Sequence, residues 1–363
     1  MQAIQTSKIA MAVIASSMIL APAAQAFEAK VSGQVSRMVV APDDAEGDEV
    51  QHQDIGWSGS RFRFTGSEEA DNGLTWGFRF EIQARNNNAG TDGGQLGNNG
   101  DNQDNRYQDL YLSGDFGKIS FGKGDGASNG GTEVDYSGTA LASAAPLQDN
   151  WGGYKIKADT DPGSTLDPVD DIIKPDNNSK KWSSVYTMFD GLSRQNRVRY
   201  DTPSFNGFTL AGSINQGNAW ETALRYKGDI GGHKFGAAVF VDQAPDVSSD
   251  EDGADVIGGS ASLLLTNGLN FTVAISESDP DDGDESDATF FKVGYKTGMH
   301  AFSVDVADGE NGDGEEGDST GFTYAFFPHP GVEVFAMVRE LDSSGVAGAE
   351  SVDLTSVGSR IKF

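Results

Sequence analysis

The chain of 363 residues contains no cysteine, so no disulfide framework can hold it, and its stability must come from backbone hydrogen bonding and packing. Histidine is also scarce: His52, His233, His300 and His329 are scattered and form no metal-ligand spacing. Basic residues are few, with 26 Lys and Arg against 55 Asp and Glu, and the formal charge of -29 argues against binding to a phosphate backbone. After the first 26 residues no apolar run approaches the roughly 20 residues of a membrane helix, so any membrane insertion must use strands. Catalytic signatures are missing too. Gly56-Trp57-Ser58-Gly59-Ser60 misplaces the second glycine of a nucleophile elbow, and Gly122-Lys123-Gly124-Asp125-Gly126 lacks the Lys-Ser/Thr ending of a phosphate loop. Neither an enzyme nor a cofactor is expected. With only 37% hydrophobic residues and 47 glycines the composition borders on that of a disordered chain, but the 21 phenylalanines recur in phase.

What is present begins with a leader. Lys8 supplies a positive start, Ile9 to Leu20 an apolar run, and Ala24-Gln25-Ala26 an A-x-A cleavage site. Residues 1–26 therefore read as a signal peptide, with the exported chain starting at Phe27. Short alternating segments follow. In Asp54 to Gly66, Phe62 and Phe64 oppose Arg61, Arg63 and Thr65, because side chains alternate across a strand. Next, Leu74, Trp76, Phe78, Phe80 and Ile82 share one face, opposite Thr75, Gly77, Arg79, Glu81 and Gln83. A soluble sandwich would turn the apolar face inward, whereas an outer-membrane barrel would turn it to lipid. Periodicity does not separate the two.

The connections do. Short turns such as Asp229-Ile230-Gly231-Gly232, Thr266-Asn267-Gly268 and Gly298-Met299 alternate with long acidic loops at 243–254, 278–287, 308–316 and 341–350. Antiparallel neighbours with one tidy and one decorated end match short periplasmic turns and longer outer loops. The expected fold is all-β, a 16-stranded antiparallel transmembrane up-and-down barrel. Such a barrel is too wide for side chains to fill and leaves a wet lumen. One segment breaks the alternation: residues 125–193, far longer than an ordinary connection, carry Gly-Gly, prolines, acids and the aromatics Tyr136, Trp151, Tyr154 and Trp182. It follows the fifth strand and is expected to fold into the lumen at the narrowest point.

These residues resemble the general porins of Gram-negative outer membranes. Ser60-Arg61-Phe62-Arg63-Phe64-Thr65-Gly66-Ser67-Glu68 looks like the family's second-strand signature. Asp115-Phe116-Gly117-Lys118-Ile119-Ser120-Phe121-Gly122-Lys123 looks like its approach to the inward third loop, and 196–205 (NRVRYDTPSF) like the strand leaving it. The chain also ends in Phe363, as porins do. The resemblance implies a homotrimer that passes small hydrophilic solutes and ions, with basic wall residues opposed to acidic residues of the third loop. By motif position Arg61 and Arg106 match wall arginines; Arg63, Arg79, Arg85, Arg197 and Arg199 lie on the polar phase of their strands. Asp125, Glu133 and Asp135 fall where the family keeps its acidic loop residues.

Opposed charges across a narrow wet gap order water and orient dipolar solutes, which selects without chemistry. The acidic outer loops suggest cation preference and contact with lipopolysaccharide; 279–285 does not match a twelve-residue calcium loop, so no metal is expected. Asp109 and Ser113 share a phase with Tyr107 and Tyr111, expected to face lipid, which points to an oligomer that covers them. Two alternatives remain at this point: a selective channel with a track of Tyr136, Trp151 and Tyr154, and a surface protein whose insert plugs the barrel.

Overall fold

The computed structural model describes residues 28–45, 47–85, 102–157, 179–244 and 253–363. The leader, most of the 86–104 loop and the acidic 159–176 stretch of the insert lie outside the described residues.

Sixteen antiparallel strands close into one barrel. They are β1 (Glu28–Asp43), β2 in two pieces (Gln51–Asp54 and Arg61–Glu69), β3 (Thr75–Arg85), β4 (Asn102–Gly114), β5 (Gly117–Asp125) and β6 (Arg194–Asp201). After the insert and β6 come β7 (Phe208–Asn215), β8 (Trp220–Ile230), β9 (His233–Ala244), β10 (Ala254–Leu264) and β11 (Leu269–Pro280). The circuit ends with β12 (Ser286–Thr297), β13 (His300–Glu310), β14 (Glu316–His329), β15 (Val332–Ser344) and β16 (Val352–Lys362). β16 pairs with β1 from Gln34↔Lys362 to Asp43↔Asp353, which removes both sheet edges. Every backbone polar group of the wall can then find a partner on a neighbouring strand, as hydrocarbon demands. Asn206 and Gly207, both with positive φ (50° and 89°), form the tight turn from β6 to β7, a conformation that asparagine and glycine tolerate.

The orientation left open by periodicity is settled by exposure. Val239, Ile257 and Ile275 are more than half exposed, while on the opposite phase Lys292 and Asp305 are buried. Apolar side chains look outward and charged ones inward, the reverse of a soluble sandwich. The inner face is not uniformly polar. Met38 and Val40 of β1, Phe290 of β12, Phe335 and Met337 of β15 and Leu354 of β16 form one apolar cluster with Leu141, Leu147, Trp151, Tyr154, Ile156, Trp182 and Tyr186 of the insert.

Two expectations need correction. The stretch from Asp54 to Gly66 is not one strand: residues 55–60 leave the ladder between the two pieces of β2. Nor do Tyr107 and Asp109 face lipid. A bulge in the β3–β4 pairing sets Glu81 opposite Tyr107 and Ile82 opposite Asn105, leaving Arg106 as the extra residue. The bulge flips the phase, so Tyr107 and Asp109 are buried on the inner side while Leu110 is exposed outside. Asp109 therefore carries no argument for an oligomer.

Candidate functional site: an insert docked on one arc and a basic wall on the other

The insert leaves β5 at Asp125 and re-enters the wall at Arg194, as its length suggested. Beyond a short helix (Gln148–Trp151) and the pairing of Lys155–Lys157 with Lys180–Lys181, the described insert is irregular, so many of its N–H groups need other partners. The inner phase of the wall supplies them. Ala127 N–H donates to Ser213 Oγ (3.0 Å), Val134 N–H to Ser260 Oγ (3.0 Å), Tyr136 N–H to Ser262 Oγ (2.9 Å) and Phe189 N–H to Ser276 Oγ (2.9 Å). Further round, Thr139 meets Ser303 through their hydroxyls at 2.8 Å and the Ser143 hydroxyl donates to Asp305 at 2.7 Å.

Charge anchors the same docking. Arg339 of β15 and Asp305 of β13 pair at 2.6 Å with both side chains fully buried. Lys292 of β12 pairs with Asp135 at 2.7 Å and also donates to the Ser143 carbonyl. At the root, the Ser128 N–H donates to Glu221 at 2.9 Å, and Arg225 donates to the Asn129 carbonyl at 2.9 Å. Gly126 permits this approach: a Cβ there would stand 1.6 Å from the Glu221 carboxylate. The insert thus covers the wall from β7 round to β16 and β1.

The arc from β2 to β6 is built differently. Glu81 of β3, fully buried, receives three guanidiniums: Arg63 Nε at 2.6 Å, Arg106 Nε at 2.7 Å and Arg61 at 3.5 Å. Arg106 also donates to Gln83 Oε1 at 2.6 Å. Arg79 lies 3.3 Å above the Tyr107 ring and 3.3 Å from Asp109. Asp109 is shared with Arg197, at 2.7 Å, whose other donors reach the Asp125 and Gly122 carbonyls. Three arginines on one carboxylate, and two on another, leave this arc with excess positive charge.

The acidic edge of the insert stands near it. Asp125 accepts from the Tyr107 hydroxyl and pairs with Arg194 at 3.1 Å. Glu133 accepts from Trp57 Nε1 at 3.1 Å; burial, with Asp190 and Asp149 close by, pushes its carboxyl up to about 8. Burial also raises Asp190, against the opposing pull of bonds from Thr132 and Gly130.

The residues expected at the constriction are therefore divided. Arg61, Arg63, Arg79 and Arg106 gather on the β2–β4 wall around Glu81 and Asp109. Arg197 and Arg199 hold the root of the insert instead, Arg199 through the Gly126 carbonyl (2.6 Å) and Asp201 (2.6 Å). Asp135 turns to Lys292 on the far wall. The side chain of Arg85 lies outside the described residues. Trp151 and Tyr154 are fully buried in the apolar cluster and line no track; Tyr136 is half-buried and lies against Gly236 of β9.

Sequence reasoning missed Glu81, Arg194 and the wall serines. Glu81 stood in plain view on the polar phase of β3, and three arginines with no nearby acid on the same wall were the signal. Ser260 and Ser262, at i and i+2 on an inward phase, could have been read as donors and acceptors for an internal segment. Arg194 falls off the phase of Arg197 and Arg199 and gave no sign.

A closed barrel of this width, polar within and apolar without, defines an outer-membrane channel. The profile of the Gram-negative porin family matches residues 10–346, and the chain belongs to that family. Among curated protein sequences none matches. Among solved structures it is similar to an anion-selective porin from Comamonas acidovorans, at 17% identity and a TM-score of 0.63, over 93% of this chain and all of the other. It is also similar to the in-vitro folded trimer form of OmpT from Vibrio cholerae, at 13% identity and TM-score 0.56, over 93% of this chain and 100% of that one. A mutant porin of Rh. blastica matches at 16% identity and TM-score 0.54, over 93% and 100%.

Proposed function

We propose that this porin is a passive diffusion channel for ions and small hydrophilic solutes, whose pathway runs between the β2–β4 arginines and the acidic edge of the insert. The observation that carries the reading is the asymmetry of docking. The described insert hydrogen-bonds along the arc from β7 to β15 and on to the end of β1 and Gln53 of β2, while Arg61, Arg63 and Arg106 donate to Gly59, Glu81 and Gln83 rather than to the insert among the described residues. No chemical step and no cofactor belong to this reading. The excess positive charge of the wall would order water at the narrow point and disfavour apolar solutes.

The overall charge suggested cation preference, but that charge is concentrated in the outer loops, where salt screens it beyond about 8 Å at physiological ionic strength. The excess arginine of the wall favours anions at the narrow point, and the anion-selective Comamonas porin is a precedent in the same fold. We therefore read the pore as anion-favouring, with the loops acting against it at the mouth and meeting lipopolysaccharide outside. Export would follow cleavage after Ala26.

A homotrimer fits the outer surface. Arg37, on the outward phase of β1 between Val35 and Val39, pairs with Asp54 at 2.8 Å midway along the strand. A neighbouring copy covering this outward polar pair would keep it away from lipid. The trimer form of OmpT supports the same assembly.

The test is planar-bilayer recording with reversal potential in a salt gradient. Stepwise openings in threes with an anion-favouring reversal are expected. Folded protein that does not conduct would sink the channel pathway, and a cation-favouring reversal would sink the reading of the wall.

A further inference from the structure

β2 is interrupted at its centre. Between the pairs Arg37↔Asp54 and Gln34↔Arg61, β1 spends two residues (35–36) while β2 spends six (55–60), so the surplus must leave the wall. It is not a loose loop. Ile55 is fully buried in the apolar cluster shared with the insert. Gln34 Nε2 donates to the Ser58 carbonyl (2.8 Å) and the Gly59 carbonyl (3.0 Å), and Arg360 of β16 donates to the Ser58 hydroxyl (2.8 Å). The ladder bonds that β1 loses are partly replaced, since Ser36 N–H donates to Ser60 Oγ at 3.0 Å. A break held by this many side-chain bonds is a built feature.

At its tip stands Trp57, which reaches the insert with two donors. Its backbone N–H donates to Asn150 Oδ1 at 2.9 Å, and its indole Nε1–H to Glu133 at 3.1 Å. Asn150 is oriented for this by donating its own amide to the Leu141 carbonyl at 3.0 Å. The wall serines hold the insert from behind, on the β7–β13 side. Trp57 holds its edge from the β2 side, next to the arginines.

We propose that Trp57 is a positioning residue that sets the aperture, by strapping the acidic edge of the insert to the β2 wall. The inference rests on the proposed pathway. Lipid-facing and stability-bearing parts of the barrel do not need this contact: Ile55, Gln34 and Arg360 would keep the break in place without the indole N–H. The specific role of the donor is to limit excursions of the edge at Glu133, and so to sharpen the size limit for solutes.

The experiment compares wild type with W57F, W57A and E133Q, each checked for a folded, heat-modifiable barrel. Single-channel open-state noise is recorded, and liposome swelling is measured with a size series of uncharged sugars. W57F keeps a smaller aromatic ring and the backbone N–H but loses the indole donor. Its edge is expected to be released about fivefold more often, seen as added noise and faster entry of the larger sugars. W57A is expected to exceed it. E133Q keeps an acceptor oxygen for the indole N–H, so its noise and size limit should move less than those of W57F, although the charge of the edge changes. If W57F and W57A both show wild-type noise and cut-off, the inference is overturned although the channel reading stands. A wild type that does not conduct overturns the channel reading itself, and the inference with it. Should W57A fail to fold, W57F and E133Q decide the matter.

Discussion

The inner wall of this barrel has two arcs with the same alternation and opposite fates. From β7 to β16 the inward hydroxyls and charges are consumed by the insert: Ser213, Ser260, Ser262 and Ser276 accept its N–H groups, and Lys292 neutralises its Asp135. From β2 to β4 the inward arginines have Glu81 and Asp109 as their carboxylate partners among the described residues. Small side chains let a backbone come close, while guanidiniums on long stems, packed around wall carboxylates, hold it off. One arc is therefore a docking surface and the other a boundary of water.

The comparison can be broken most severely at Asp305. Replacing it with alanine leaves Arg339 buried without its partner and frees the Ser143 hydroxyl. A loss of about 3–5 kcal/mol is expected, measured as a lower urea midpoint for unfolding in detergent. S260A is the next step down. Ser260 both accepts from Val134 N–H and donates to the Gly131 carbonyl (2.7 Å), so its removal should cost about 1–3 kcal/mol by the same measurement, with ion preference unchanged.

The open arc should respond in selectivity rather than stability. E81Q removes the one carboxylate among Arg61, Arg63 and Arg106, and the anion-to-cation permeability ratio should rise about twofold, read from the reversal potential. Loss of Asp135 on the docked arc should not produce this shift, because D135N unburdens Lys292 behind the insert.

The smallest effect is one of pH. Glu133, its carboxyl raised to about 8, is neutral below that value and charged above it. As pH rises through 8 a negative charge appears at the insert edge, and the reversal potential should move toward cations by less than the E81Q change in magnitude. E133Q should abolish the movement. The sign for stability follows from proton counts: between its unfolded value and about 8 the folded state holds the proton more tightly, so this group's stabilising contribution is present at low pH and lost as pH rises through 8.

Much of the architecture was legible in the chain because strand periodicity and connection length are local properties. Phe62 and Phe64 against Arg61 and Arg63, short turns against long acidic loops, and an uninterrupted irregular stretch from 125 to 193 gave the barrel and the insert. The candidate site was only half legible. The wall arginines could be placed by phase, yet their partner Glu81 and the serines that hold the insert could not be assigned, since those contacts join residues far apart in the chain. Ser260 and Val134, 126 positions apart, meet only after closure.

The sequence by itself determined that side chains alternate, that the chain pairs antiparallel, and that the circuit has an even number of strands. Tertiary structure alone decided three matters. It turned the apolar face outward, because a closed wide barrel has a wet interior. It flipped Tyr107 and Asp109 inward, because the extra residue Arg106 shifts the pleat by one. And it broke β2 at 55–60 so that Trp57 meets the insert, because a strand's surplus residues can leave the ladder only where partners such as Gln34, Arg360 and Asn150 satisfy them.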